Sequence, residues 1–249
     1  MVAEGTGHGG AAGLREDCLR VTEAASCEEL LQQTVAFTRQ LGFETVAAMV
    51  ALDQPCGPTE FHTLHNTPPS YRDHFEDMDE GRRCPVMQYC KHSARPLAWN
   101  QHTYTAAGLG EMWEAQAAHG LRVGLAVAWH LPRGRHFFIG VDRDQALPAC
   151  RIELSRLTAE LQLFAAHAQE AALRLLDRRD TPAGRPGLTA REREALCWTM
   201  EGKTAWEAGR ILGISEQTVA RHLQNAARKL DAVNKHQAVI KALRLGLLN

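Results

Sequence analysis

Between Leu188 and Leu248 the chain carries three helix-start signals separated by two glycines, a punctuation that leaves it little freedom except to fold as short helices. Thr189 with Glu192 three residues on forms a capping-box pattern, in which hydroxyl and carboxylate satisfy amides that a helix start leaves unpaired. The spacing predicts a helix over Ala190–Met200, with Leu188, Ala195, Leu196 and Thr199 or Met200 on one side and Gly202 at its end. Thr204 with Glu207 starts a second helix that Gly213 closes after Ile211 and Leu212. Ser215 caps a third, whose Val219, Leu223 and Leu230 form an inward stripe while Gln217, Ala220, Arg221, Gln224 and Asn225 face outward. A fourth helix over Lys235–Leu245 aligns Ala238, Val239, Ala242 and Leu245. Two helices joined by a short Gly-containing turn, the second rich in Gln, Arg and Asn, have helix-turn-helix geometry.

The charge distribution supports that reading. Residues 188–249 hold ten Lys/Arg against six Asp/Glu, a net +4, so the preceding residues carry −5 of the chain's total of −1. Positive charge is concentrated where phosphates would be met and their counterions released.

The stretch from Glu201 to Leu230 resembles the DNA-binding domain of LuxR-type regulators. The resemblance rests on Gly202-Lys203-Thr204, Trp206-Glu207, Ile214-Ser215-Glu216 followed by Thr218-Val219, and Lys229-Leu230. Departures are Ala190 where proline is common, Ala208-Gly209 where isoleucine and alanine are usual, and Asp231 at a position often held by glycine. The resemblance implies that Lys203, Thr204, Trp206, Thr218, His222 and Lys229 hold the phosphate backbone, while Gln217, Arg221, Gln224 and Asn225 reach base edges. Packing between helices is an equal alternative for Trp206, and simple surface exposure for His222. The fourth helix would pair two such domains, giving a homodimer on a pseudo-palindromic double-stranded DNA site, with RNA polymerase as a further partner.

Composition bounds the remainder. With 249 residues, 45% of them apolar, the chain can bury a core in each of two domains. No apolar run approaches the roughly 20 residues that span a bilayer, and Met1 leads into a Gly/Ala-rich stretch with no signal-peptide pattern, so a cytoplasmic protein without membrane association is expected. The expected organisation is a flexible N-terminus over 1–13, a sensor and dimerisation domain over 14–177, a Pro/Gly-rich charged linker over 178–187 and the DNA-binding domain over 188–249. Seven cysteines, odd in number and without a close CxxC pair, argue against a disulfide framework or structural zinc. His62 and His65 lack a third ligand at recognisable spacing, so no metal site is expected. Neither a nucleophile elbow, a phosphate loop nor metal-ligand spacing is present, so no enzyme activity and no cofactor are expected.

Periodicity over residues 14–177 alternates between helix and strand. Helices are predicted over Glu28–Leu41, from Pro68 or Pro69 through Phe75, over Val86–His92, Gly108–His119 and Leu147–Leu176; strands over Glu44–Leu52, Glu60–Leu64, Arg122–Leu131 and Arg135–Val141, the last two joined by a Pro132-Arg133-Gly134 turn. Along the last helix Leu154, Leu157, Leu161, Phe164, Ala168 and Leu175 offer a seam for a second chain. The expected fold class is therefore α+β: an N-terminal α/β/α sandwich sensor domain with an antiparallel sheet, plus a C-terminal all-α four-helix helix-turn-helix domain.

This region resembles the autoinducer-binding domain of LuxR-type proteins through Asn66-Thr67-Pro68-Pro69, Cys84-Pro85-Val86, Pro96-Leu97-Ala98-Trp99, Trp113-Glu114, Gly120-Leu121 and Gly124. The resemblance implies a pocket between sheet and helices, with Thr67, Tyr71, Phe75, Cys84, Val86, Trp99, Trp113, Gly124 and Gly140 as its residues. Several handles for an acyl-homoserine lactone are changed: Thr67, Tyr71 and Phe75 stand for Tyr, Trp and Tyr, Cys84 for the Asp that accepts the ligand amide, and Gly140 for a Ser/Thr. A thiol is a poor substitute for a carboxylate acceptor, and loss of a charged hydrogen bond costs about 1.5–3 kcal/mol. Two readings stay open, a pocket retuned to a different small molecule and a filled core that needs none. A conventional lactone receptor and an anti-activator that heterodimerises with a related regulator are the alternatives. Cys84 is read as an inward-facing cysteine in preference to a redox partner of Cys90.

Overall fold

The computed structural model describes residues 11–54, 57–69, 71, 78–177 and 187–248. They form two compact units, one running up to Asp177 and one holding the C-terminal helices.

The first unit opens with α1 (Ala11–Thr22) and α2 (Cys27–Gln40), followed by β1 (Thr45–Leu52) and β2 (Glu60–His65). Four short helices and a short strand come next: α3 (Met78–Arg83), α4 (Pro85–His92), β3 (Leu97–Trp99), α5 (Gln101–Thr105) and α6 (Gly110–Ala117). The hairpin β4 (Val123–Leu131) and β5 (Arg135–Arg143) and the long α7 (Arg151–Leu176) complete it. The strands form one sheet in the order β2-β1-β5-β4-β3. The β1–β2 and β3–β4 pairs are antiparallel, with Val50 opposite His62 and Trp99 opposite Gly124. Arg133 and Gly134 at the hairpin tip have φ of 69° and 60°, and two successive positive φ values match the twist of the flanking strands.

Both faces of the sheet are covered. Val46, Ala48 and Val50 of β1, Leu125 and Val127 of β4 and Phe137, Ile139 and Val141 of β5 share one core with α1, α2 and α7. Leu30, Thr34, Phe37 and Thr38 of α2 face inward at helical spacing. Phe37 stacks on Phe164 of α7 with ring centroids 3.9 Å apart, and Ala165, Ala168, Ala171 and Ala172 let α7 approach closely. Arg174 donates to the carbonyls of Thr22 and Ala24, closing the end of α1. Alternate strand residues point the other way: Ala126 and Ala128 of β4 join Val86, Cys90, Trp99 and Tyr104 in a second core beneath α4 to α6.

Several expectations are corrected. The helix expected from Leu147 begins at Arg151, beyond Pro148, because a proline and the residue before it resist helical geometry. The helix expected from Gly108 begins at Gly110; Gly108 itself has φ of 71°, outside helical space. Residues 11–13, expected to be flexible, belong to α1, while 1–10 and the linker over 178–186 lie outside the described residues. Strand β3 and helix α5 had no periodic signal because each is shorter than its own repeat can reveal. The supposed intermolecular seam of α7 is spent internally: Leu161, Phe164 and Ala168 are buried in the first core, and Leu154, Leu157 and Leu175 pack against it.

The second unit consists of α8 (Ala190–Met200), α9 (Ala205–Leu212), α10 (Glu216–Lys229) and α11 (Lys235–Arg244). Thr189 and Thr204 make reciprocal capping boxes with Glu192 and Glu207, and Ser215 and Asn234 cap the other two helices. Leu196, Val219, Leu223, Ala226, Ala238 and Ala242 form its core. Asp231, at a position where glycine is common in the resembling family, has φ of 49°, a conformation that Asp tolerates better than most side chains.

Gly124 is the tightest position in the sheet. A Cβ there would lie 2.2 Å from the Val141 carbonyl oxygen and 2.7 Å from the Trp99 indole nitrogen. Gly124→Ala is expected to destabilise the chain by about 1–3 kcal/mol, the range for forcing atoms into a packed core. Thermal denaturation with near-ultraviolet dichroism reads the result, and an unchanged melting temperature would show that this backbone yields freely.

Candidate functional site

Among the described residues, the second face of the sheet is incompletely filled. Between it and the covering helices lies a cavity of about 180 Å³, lined by Ala47 of β1, Gly81 of α3, Met87 and Val86 of α4, Trp99, Leu121 and several polar groups. Strand periodicity explains its floor. Phe138, Gly140 and Asp142 alternate with the core residues 137, 139 and 141, so they face the helices. A Cβ on Gly140 would press to 3.0 Å from the Phe138 ring, which makes glycine the residue that leaves space beside it. Trp99 forms a wall, held edge-on to Tyr104 at 5.7 Å between ring centroids.

Tyr71, Cys84, Tyr104, Gln116 and Asp142 supply the polar atoms of the lining. The Tyr104 hydroxyl lies 3.6 Å from Cys84 Sγ. Burial, reinforced by Cys84, pushes Tyr104 far above the usual phenol range, with the nearby Gln116 amide pulling modestly the other way, so it stays a neutral hydroxyl. Burial also pushes Asp142 up from 3.8 to about 7. Burial and then the neighbouring Cys84 push the Cys90 thiol up to about 11. Cys90 is thus a protonated core thiol, and reactive thiolate chemistry is not favoured there.

Of the expected pocket residues, Tyr71, Cys84, Val86, Trp99 and Gly140 line the cavity. Three take other roles. The Thr67 hydroxyl is 2.8 Å from His65 Nδ1. Trp113 Nε1 donates to the Arg122 carbonyl at 2.9 Å while the ring packs in the second core. Gly124 makes room for Trp99. Phe75 lies outside the described residues. Tyr104, Gln116 and Asp142 were not foreseen. For Asp142 the alternation 138/140/142 on β5 was the available signal; for Tyr104 and Gln116 the sequence offered none, because only packing brings α5 and α6 to the cavity. His62 pairs with Glu60, not with His65, and among the described residues no group of three or more His, Cys, Asp or Glu is placed to hold a metal ion.

In the C-terminal unit, caps determine which face is left open. Gln217, Arg221 and Gln224 are exposed on one side of α10, opposite Val219, Leu223 and Ala226; Ala220, His222 and Asn225 flank them, half-buried. Lys203 is exposed beside the start of α9. The Thr204 hydroxyl donates to the Glu207 carboxylate at 2.9 Å, and the Thr218 hydroxyl meets Ser215 Oγ at 2.8 Å. Trp206 is 55% exposed, not packed between helices, and Arg210 lies over its ring at 5.2 Å from the centroid. Gly209 allows the tight turn into α10, since a Cβ would come within 2.7 Å of the Ile214 carbonyl oxygen.

Lys229, expected along the phosphate backbone, also has partners within its own unit. Its ammonium bonds Glu192 at 2.7 Å and the Gly187 carbonyl at 3.1 Å. The Glu192 side chain is only 4% exposed. Burial alone would raise its pKa, but hydrogen bonds from Lys229 and Thr189 outweigh that and hold it below the usual carboxylate range. This pair clamps the end of α10 to the start of α8, a structural task that commits the cation.

Comparison with known proteins agrees with both halves of this geometry. Residues 26–172 match the family described as autoinducer binding domain, and residues 186–242 that described as bacterial regulatory proteins, luxR family. The transcriptional activator protein SolR of Ralstonia nicotianae is 32% identical over 220 residues, which cover 88% of this chain and 92% of SolR. The crystal structure of Escherichia coli SdiA in space group P6522 superposes with a TM-score of 0.74 at 28% identity, covering 96% of this chain and 98% of that one. SdiA in complex with octanoyl-rac-glycerol gives 0.73 at 29% identity over 95% of each chain.

The position of Asp142 has a measurable consequence. A carboxyl raised to about 7 in the folded chain binds a proton that the unfolded chain has already released between about pH 4 and 7, so stability falls as pH rises through that window. Asp142→Asn removes the titration and keeps the shape. Its melting temperature is expected to exceed that of the unsubstituted chain at about pH 8, with the gap closing as pH falls toward 4. A gap that is constant with pH would mean that Asp142 titrates normally.

Proposed function

The chain belongs to the LuxR family of DNA-binding transcriptional regulators and carries that family's autoinducer-binding domain, and we propose that it acts as a homodimer gated by a small molecule other than the usual lactone. The cavity of about 180 Å³ behind β5 is the observation that carries this reading: a core that worked without ligand would have been filled by its own side chains. The replaced lactone handles, with Cys84 against Tyr104 where a carboxylate is usual in the family, argue for different chemistry. SdiA, which is found with octanoyl-rac-glycerol, illustrates that this architecture accepts a molecule without a lactone ring.

On DNA, α10 would lie in the major groove, with Gln217, Arg221 and Gln224 toward base edges and Lys203, Trp206 and His222 along the backbone. Thr204 and Thr218 would contribute mainly by holding the helix starts. Ile240 and Leu243 are exposed on α11 and would supply the contact between two DNA-binding units, setting the spacing of two half-sites. Ligand would then act by shifting the population of dimer geometries, to the extent that it binds one geometry more tightly than another. Among the described residues no helix is long and apolar enough to cross a membrane, in keeping with a cytoplasmic site of action.

Two measurements test this. Native mass spectrometry of the freshly purified chain is expected to show a dimer carrying a small molecule in stoichiometric amount, recoverable by denaturing extraction; a ligand-free dimer that binds specific DNA unaided would replace gating with constitutive binding. Arg221→Ala is expected to weaken specific DNA binding by about 1–3 kcal/mol and relax one base position, without altering the melting temperature. Retained affinity and specificity in a gel-shift selection would remove Arg221 from base readout.

A further inference from the structure

Two histidines at the closed end of the β4–β5 hairpin belong neither to the cavity lining nor to the DNA-binding unit. Pro132, Arg133 and Gly134 make the turn, so Leu131 and Arg135 end the strands, and His130 and His136 stand opposite each other one step further in. Side chains directly opposite on one face of an antiparallel pair have Cβ atoms about 4.5–5.5 Å apart, close enough to act together. The two rings lie with centroids 5.1 Å apart and planes at 69°, and their Nδ1 atoms are 2.9 Å from one another. His130 is exposed and His136 half-buried, so solutes reach the pair from solvent.

That separation decides what else the pair can hold. Imidazole nitrogens sit about 2.0–2.1 Å from a transition metal, and two such bonds at a right angle put their nitrogens about 2.9 Å apart. This is the spacing of adjacent positions on a square-planar or octahedral ion. In the neutral pair one ring carries its proton on Nδ1 and the other a lone pair there. Coordination needs that proton moved to Nε2 of the same ring, which turns both Nδ1 atoms into ligands and leaves the charge unchanged. The hairpin already holds the rings together, so the second metal–nitrogen bond forms at high effective concentration.

We propose that His130 and His136 form a chelating site for a divalent first-row transition metal of square-planar or octahedral habit, Ni²⁺ or Cu²⁺, with solvent completing its shell. An ion there ties β4 to β5, the strand that also carries Phe138 and Gly140 of the cavity floor, and it stabilises the fold because the pair exists only when the hairpin is formed. The signal in the sequence was a six-residue spacing across a turn, not the short spacing of His62 and His65.

The test titrates the full-length, untagged chain with Ni²⁺–nitrilotriacetate by calorimetry. The chelator leaves only two adjacent positions of the ion open, so paired imidazoles are favoured over single ones. One complex per chain is expected. His130→Gln and His136→Gln are each expected to weaken uptake by about tenfold or more, and the double variant no further than either single one, because a chelating pair is lost with its first member. His102→Gln, at an exposed histidine outside the pair, is expected to leave uptake unchanged. Uptake that survives both single substitutions assigns the ion to other side chains and overturns the proposal. Failure of the folded, unsubstituted chain to bind the complex more tightly than His130→Gln does overturns it as well, leaving the contact a hydrogen bond alone. Circular dichroism checks that the substituted chains fold, and His130→Gln, at the exposed member of the pair, decides the matter should His136→Gln not fold.

Discussion

At the centre of the sheet, where both faces are covered, a strand has no solvent side on which to place polar residues, and this constraint organises the N-terminal unit. The central strands β4 and β5 serve two cores at once through their alternation. On β5, Phe137, Ile139 and Val141 fill the core against α1, α2 and α7, while Phe138, Gly140 and Asp142 turn to the other layer. The first core closes to within a void of about 10 Å³, with Phe37 stacked on Phe164 and a row of alanines on α7. The second does not, because Gly140 contributes no side chain and the covering helices are short. The cavity is what remains.

That incompleteness concentrates the chemistry. Burial raises Asp142, Tyr104 and Cys90 alike. For these three groups burial favours the neutral form, so hydrogen-bond complementarity and shape weigh more in recognition there than charge. The C-terminal unit solves the opposite problem. Its helices are too short to be stable alone, and caps together with the Glu192–Lys229 pair hold them in place so that the polar side of α10 stays exposed.

Legibility in the sequence differed sharply between the two units. The caps at Thr189, Thr204 and Ser215 and the left-handed Gly202 and Gly213 are local devices, encoded within four or five residues, so helix boundaries there could be read directly. The role of Lys229 could not, because its partner Glu192 is 37 residues away and the contact exists only after α8 and α10 pack. In the N-terminal unit the long strands and α2 announced themselves by periodicity, whereas β3 and α5, three and five residues long, did not. Tyr104 and Gln116 came to the cavity only through packing, Tyr104 edge-on against Trp99.

By itself the sequence determined the two-part organisation, the antiparallel α+β character of the first part, the helix-turn-helix of the second and the outward stripe of α10. These follow from capping, periodicity and charge, all of which act over a few residues. Only the tertiary structure decided that the second core leaves a cavity, that Gln116 and Asp142 border it, and that the apolar stripe of α7 faces its own domain. Those outcomes depend on how side-chain volumes from segments distant in the chain meet, as where the absence of a side chain at Gly140 leaves space beside Phe138.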